Sequence, residues 1–159
     1  AGIDGKPSGL VVEAVPTPGK PPVHLEGLAP ADPGENIGLS ILDRNTQRRL
    51  AYFSAAGGIT AAMRAAMDAA DCVFFDGTFW LADELITLGL GTKRAEDMAH
   101  VPVGGAGGSL DALANMRAPR RIFIHINNTN PLLRPRSPER AQAQARGWEI
   151  AHDGMELTL

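Results

Sequence analysis

The chain has 159 residues, a formal net charge of -3 and one cysteine, Cys72. This length fits a single domain spanning residues 1–159 rather than two ordinary domains. The slightly acidic charge lacks the basic footprint of a nucleic-acid-binding protein, and no apolar run approaches the ~18 residues of a membrane span. A lone cysteine excludes an internal disulfide framework and fits a reducing compartment, so we expect a cytoplasmic protein.

Apolar runs and turn signals predict strands that alternate with helices along the chain. The predicted strands span residues 10–15, 37–42, 50–54, 72–75, 121–126, 148–152 and 155–159, and the last two form a hairpin around Asp153-Gly154. The predicted helices span residues 61–70, 83–90, 92–99, 109–116 and 138–146, with caps at Thr60, Ser109 and Ser137. The proline-rich stretch 16–36 predicts a long loop. This order indicates a mixed α/β (α+β) fold with covered strands.

Two metal-capable side chains end or nearly end buried-type strands. Asp76 comes directly after the fourth predicted strand, and His125 lies near the end of the fifth. Loops beyond strand ends are where such sheets hold their sites, and a carboxylate with an imidazole suits Zn²⁺ or Fe²⁺. His100 lies between them in the sequence and can join them. The alternative reading is a plain Asp-Gly turn and structural histidines. His24 and His152 are expected to be exposed or structural.

Four segments go beyond generic pattern. They read Phe75-Asp76-Gly77-Thr78-Phe79-Trp80, Ile124-His125-Ile126-Asn127-Asn128-Thr129-Asn130-Pro131, Ser137-Pro138-Glu139-Arg140 and Gly147-Trp148-Glu149. They resemble the pyrroloquinoline quinone biosynthesis protein B (PqqB) family, a branch of the metallo-β-lactamase fold, from about Asn36 to Leu159. The resemblance implies the C-terminal part of an αββα sandwich. The superfamily's Asp-His metal loop is missing, so it implies an incomplete domain and an incomplete metal site.

The resemblance also assigns roles by position to the ionisable candidates. Asp76 matches the carboxylate that follows a strand and borders the metals, and His125 matches the last metal-binding histidine. His100 matches a histidine in a segment that usually reads Met-Gly-His, where this chain has Met98-Ala99-His100. His100 is therefore expected to face the substrate as a catalytic residue or to stand behind the ligands, with a structural role as the alternative.

The polar loop after His125 is the predicted substrate-binding segment. Its asparagines, Asn127, Asn128 and Asn130, can hydrogen-bond a polar substrate, although the same residues can stabilise the loop through Asx turns. The Ser54-Ala55-Ala56-Gly57 stretch departs from the proline-glycine turn of the family, which makes that loop doubtful as part of the site.

The family resemblance implies three possible functions. The first is iron-dependent oxygenation of a tyrosine-derived PQQ precursor, with Fe²⁺ or Zn²⁺ as the cofactor and other pathway proteins as possible partners. The second is a carrier that helps move PQQ or its precursor toward the periplasm. The third, metal-dependent hydrolysis, rests on fold analogy alone. Because the metal loop is missing, we expect the 159-residue chain to have little activity by itself, and its oligomeric state stays open.

Overall fold

The structure is a computed structural model that describes residue 5, residues 7–21 and residues 36–159. Within these residues there are six strands: β1 Leu10–Pro16, β2 Ile37–Asp43, β3 Arg49–Phe53, β4 Cys72–Asp76, β5 Arg120–Ile124 and β6 Trp148–Ile150. The α-helices of the same ranges are α1 Ala61–Asp68, α2 Glu84–Thr87, α3 Ser109–Ala112 and α4 Pro138–Ala145. Short 3₁₀ turns cover Glu96–Met98 and Pro131–Leu133. The predicted mixed α/β fold is confirmed.

The six strands form one sheet whose order follows the sequence, β1-β2-β3-β4-β5-β6. The first three strands are antiparallel hairpin neighbours, whereas β3, β4, β5 and β6 run parallel. Parallel neighbours need crossover connections, which α1 provides between β3 and β4 and α4 provides between β5 and β6. The carboxyl ends of β4 and β5 therefore meet at one edge of the sheet.

One face of the sheet holds the hydrophobic core. Three phenylalanines, one each from β3, β4 and β5, are neighbours in the register and fully buried: Phe53, Phe75 and Phe123. Trp148 of β6 stacks on Phe123 with ring centroids 4.0 Å apart. Helix α1 adds Met63 and Met67, which lie one turn apart on the same helix face and are fully buried. The tryptophan of the Gly-Trp-Glu segment is therefore a core residue.

The opposite face of the sheet is apolar but only partly covered. Aligned residues from β1 to β4 form two apolar rows, Val12–Ile41–Leu50–Cys72 and Ala14–Leu39–Tyr52–Phe74. Cys72 is buried, Val12 is 55% exposed, and most of the others are half-buried. We call these eight residues the open sheet face.

Helix caps at Thr60 and Ser137 are confirmed, because their hydroxyls accept hydrogen bonds from the backbone N–H groups of Met63 and Arg140 at 3.2 and 3.0 Å. The cap at Ser109 is wrong. Gly108 occupies the cap position, and the buried Ser109 hydroxyl has no hydrogen-bond partner among the described residues. The first two N–H groups of this helix donate to the carbonyls of Pro102 and Val103, and the helix ends after four residues, at Ala112.

Three other predicted elements are also corrected. The terminal hairpin is wrong, because β6 pairs in parallel with β5 and residues 151–159 contain a turn but no strand. The predicted helix at 92–99 is reduced to the 3₁₀ turn, and the one at 83–90 to α2. Most of the predicted loop 16–36, including His24, lies outside the described residues. Along the described stretches, none of the helices has the length and apolar character needed to cross a membrane.

Candidate metal centre

Asp76, His100 and His125 meet at the carboxyl edge of the parallel strands. Asp76 is the last residue of β4, and His125 follows directly after β5. One potential ligand atom from each of the three residues lies within 4.8 Å of the others. The rings of His100 and His125 have centroids 5.5 Å apart. The structure therefore brings together the two predicted metal residues, Asp76 and His125, with His100, for which the sequence left catalytic, supporting and structural roles open.

Close contact between the ends of β4 and β5 makes this meeting possible. The backbone N–H of Gly77 donates to the carbonyl of Ile124 at 2.8 Å. A Cβ atom on Gly77 would lie 3.0 Å from the Cβ of Phe123 and 3.1 Å from that carbonyl, so only glycine fits without a shift. His125 has a φ of +54°, a left-handed conformation that is uncommon for non-glycine residues and often found at functional sites.

The carboxylate of Asp76 is fully buried and accepts four hydrogen bonds. One oxygen accepts from the backbone N–H of Thr78 at 3.0 Å and from its hydroxyl at 2.6 Å. The other accepts from the backbone N–H of Ala56 at 3.0 Å and lies 2.7 Å from Nδ1 of His100. An ionised carboxylate has about four acceptor sites, so all of them are used. Asp76 can bind a metal directly only by giving up one of these bonds.

These contacts also set which ring nitrogen of each histidine carries its proton. Nδ1 of His100 donates to Asp76, because an ionised carboxylate only accepts. The hydroxyl of Thr78 lies 2.6 Å from Asp76 and 2.9 Å from both the carbonyl and Nδ1 of His125. Its single proton goes to the nearest acceptor, Asp76, so Nδ1 of His125 donates to its oxygen. Within the described residues, Nε2 of both histidines has no hydrogen-bond partner. Metal-binding histidines are oriented in this way by a carboxylate behind them.

Two contributors to the site were not expected from the sequence. Thr78 lies in the Asp-Gly-Thr segment, where an Asp followed two residues later by Thr is a local turn signal that could have revealed it. Ala56 contributes through its backbone N–H, which no side-chain pattern announces, and this corrects the doubt about the loop at residues 54–57. The neighbouring Val101 also donates its N–H to the carbonyl of Ala56 at 2.7 Å, which ties the His100 segment to the same loop.

The three asparagines after His125 occupy different positions. Asn130 is 1% exposed, donates to the carbonyl of Gly77 at 2.7 Å and accepts from the N–H of Leu132 at 2.9 Å. Its side chain holds the loop, as in the Asx alternative, and substrate binding by Asn130 stays a prediction. Asn127 is half-buried and donates to the hydroxyl of Thr129 at 2.6 Å, whereas Asn128 is exposed. Substrate binding by Asn127 and Asn128 stays a prediction.

The side chain of Glu84 stabilises this loop, a role that was not expected from the sequence. It is buried, and its carboxylate accepts a hydrogen bond from the backbone N–H of Trp80 at 2.6 Å and another from the hydroxyl of Thr129.

Cys72 lies away from the cluster and is fully buried, and burial raises the pKa of its thiol to about 11. A thiol with so high a pKa is a poor nucleophile at neutral pH, as expected of an inert core cysteine.

Comparison with known proteins gives this arrangement a context. Residues 3–126 match the family model described as the beta-lactamase superfamily domain. Coenzyme PQQ synthesis protein B of Bradyrhizobium diazoefficiens is 42% identical over 161 residues, which cover 99% of this chain and 52% of that protein. The protein of the same name from Gluconacetobacter diazotrophicus is 44% identical over 160 residues, covering 98% of this chain and 51% of that protein. The chain thus spans about half the length of the curated relatives it matches.

Solved structures give the same result. The crystal structure of Zn²⁺-bound PqqB from Methylobacterium extorquens matches with a TM-score of 0.88 and 40% identity, covering 95% of this chain and 51% of that one. A diphosphatase from the PhnP family matches with a TM-score of 0.57 at 18% identity, covering 96% and 44%, a likeness that concerns the fold alone. The resemblance to PqqB and the metallo-β-lactamase-like fold class are confirmed.

Proposed function

This chain belongs to the beta-lactamase superfamily, and we propose that it supplies part of the metal centre of a protein that acts in PQQ biosynthesis. One observation carries the proposal: Asp76, His100 and His125 converge at a sheet edge with both Nε2 atoms left without protein partners in the described part of the chain. Relatives that are more than 40% identical over nearly all of this chain are named for PQQ synthesis.

The donor set fits a transition metal. Two imidazoles with a carboxylate behind them suit zinc and also non-haem iron. We propose that His100 and His125 hold the metal through Nε2, while Asp76 orients His100 directly and His125 through Thr78. Further ligands are expected from the part of the family's length that this chain does not span.

The proposed reaction is oxygenation of the tyrosine-derived PQQ precursor. Bound iron would supply the activation of O₂, which protein side chains cannot perform unaided. The residues of this chain have supporting tasks. Asp76 and Thr78 fix the two imidazoles in the tautomer that leaves Nε2 free, and Asn127 and Asn128 offer amide groups beside His125 to a polar substrate.

The test uses the natural polypeptide that carries this sequence, reconstituted with Fe²⁺ under anaerobic conditions and then given O₂ and the precursor. We expect about one metal ion per site and O₂ consumption that depends on the precursor. His125→Ala should lose both metal and turnover. Asp97→Asn provides a matched control, because Asp97 is an exposed acid three residues from His100 that makes no contact with the cluster.

The outcomes separate the open alternatives. Stoichiometric metal with precursor hydroxylation, both lost in His125→Ala, would support the oxygenase. Tight binding of PQQ or its precursor without O₂ consumption would favour the carrier and contradict the oxygenase. A His125→Ala variant that keeps its full metal content would overturn the proposed metal centre itself.

A further inference from the structure

A second feature lies next to His125. A cavity of about 430 Å³ opens between the end of β5, helix α4 and the segment that follows β6. Its size is within the roughly 300–1,000 Å³ of small-molecule sites. Its walls combine apolar side chains, among them Ile126 and Leu133, with the polar groups of Arg140, His152 and Asp153. The cavity thus shares one wall, His125, with the candidate metal centre.

Arg140 brings a permanent positive charge to this cavity. Its side chain is half-buried, and Nη1 donates to the carbonyl of Leu132 at 2.8 Å. No carboxylate lies within ion-pair distance of its guanidinium in the described ranges, whereas Arg120 and Arg146 both have carboxylate partners. A guanidinium has five N–H donors and stays charged at any physiological pH. Arg140 therefore has further N–H donors and, among the described residues, an unpaired positive charge available to a ligand in the cavity.

The other polar groups narrow the class of ligand. Nδ1 of His152 donates to the backbone carbonyl of Asp153 at 3.1 Å. Its Nε2 has no hydrogen-bond partner within the described residues and can donate to a carboxylate when both ring nitrogens carry protons. Asp153 adds one negative charge to this cavity, and Arg140 is the only permanent cation among the described residues that line it. This balance suits a singly charged carboxylate better than a phosphate dianion, since the acid would repel a second negative charge. The apolar wall at Ile126 and Leu133 suits a hydrocarbon portion.

We propose that this cavity binds a carboxylate of the substrate through Arg140 and His152 and so places the attached hydrocarbon portion beside His125. The assignment rests on the proposed function only in calling the ligand a substrate. Arginine is the residue best suited to recognise a planar carboxylate, because two of its N–H groups can bind both oxygens together. A carboxylate held here would be fixed by protein groups rather than by the metal.

The test titrates phenylacetate into the natural polypeptide, both as isolated and after metal chelation, and follows the ring protons of His152 and the Nε–H of Arg140 by NMR. Phenylacetate should shift both signals in both preparations, whereas the uncharged isostere 2-phenylacetamide should bind at least about tenfold more weakly, as loss of one charge-assisted pair predicts. Binding that survives chelation separates this site from the metal centre, whose failure would appear instead in metal titrations.

Three variants make the test specific. Arg140→Gln and His152→Gln should each weaken phenylacetate binding, by about tenfold or more for Arg140→Gln. Arg136→Gln, which removes an exposed arginine outside the cavity, should not change it. Because Arg140 also holds the carbonyl of Leu132, His152→Gln at an exposed position provides a readout independent of folding. Equal binding of the amide, tighter binding of inorganic phosphate, or an equal loss in Arg136→Gln would overturn the proposal.

Discussion

Thr78 joins the two histidines of the candidate centre through one hydroxyl group. It donates to Asp76 and accepts from Nδ1 of His125, so its removal frees the ring of His125 and takes one donor from a buried carboxylate. We expect Thr78→Val to lower zinc affinity about 10–100-fold, the range for residues that orient metal ligands. Competition with a chromophoric chelator measures this affinity. Thr78→Ser keeps the hydroxyl and should retain most of it; an equal loss in the serine variant would mean that the methyl group, not the hydroxyl, is what matters.

Ala99 has a backbone conformation that glycine adopts without steric cost. It ends the 3₁₀ turn at Glu96–Met98 with a φ of +62°, in the left-handed region that disfavours a Cβ atom. That strain costs roughly 1–2 kcal/mol, against the ~0.5–1 kcal/mol that glycine loses in chain entropy. Ala99→Gly should therefore raise the free energy of unfolding by up to about 1 kcal/mol, measured by urea denaturation. A decrease would show that the Ala99 methyl contributes packing that outweighs the strain.

The sequence predicted part of the site for a definite physical reason. Asp76 and His125 could be identified because polar residues that follow buried parallel strands end at the same sheet edge. His100 could be named but not placed, since its position depends on the loop packing at Ala56 and on the left-handed turn at Ala99. The burial of Asn130 and its hydrogen bond to the carbonyl of Gly77 depend on tertiary packing, which local sequence does not encode.

Among the elements, the last strand shows that a local turn signal does not determine which strand a β-strand pairs with. Asp153-Gly154 correctly indicates a turn, and the N–H of Met155 donates to the carbonyl of His152. The pairing partner was wrong because α4 returns the chain to the sheet edge, where β6 adds to β5 in parallel. The buried Trp148 stacks on Phe123 and fixes this register, and such a contact between distant residues is invisible to a hairpin pattern.

The β5–β6 pair also carries a pH-dependent contribution to stability. Arg120 makes two hydrogen bonds to Glu149 at 2.6 and 2.9 Å, and these bonds hold the pKa of the Glu149 carboxyl below its usual 4.5. The lowered pKa means that the stabilisation is present above about pH 4.5 and is lost as the pH falls through the folded-state value. Both side chains are more than a third exposed, so solvent screening limits the effect to under about 1 kcal/mol.

Glu149→Gln tests this sign. The variant should be less stable than the parent chain at about pH 7, and the difference between the two should shrink as the pH is lowered below about 4.5. Urea denaturation at several pH values measures it, with Glu156→Gln as a control because Glu156 is exposed and outside the sheet. A difference that stays constant across the pH range would place the contribution of Glu149 in packing rather than in charge.

At the level of the whole molecule, the two faces of the sheet differ in how far other elements cover them. The core face is covered by α1 and the other helices, whereas Val12, Leu39 and Tyr52 lie on an apolar surface with no helix over it among the described residues. In an αββα sandwich, two sheets pack face to face across about 10 Å. Because the chain spans about half the length of its relatives, we propose that this face packs against a second sheet.

Val12→Lys distinguishes an inter-sheet surface from an ordinary exposed one. Val12 is 55% exposed here, and an exposed strand position tolerates lysine within about 0.5 kcal/mol. If a second sheet covers it in the natural polypeptide, the buried charge should lower the free energy of unfolding by several times that amount. Leu90→Lys is the matched control, because Leu90 is 65% exposed and lies away from the sheet. Equal, near-zero effects of the two variants in urea denaturation would contradict the second sheet, since a lysine at Val12 would then remain in solvent.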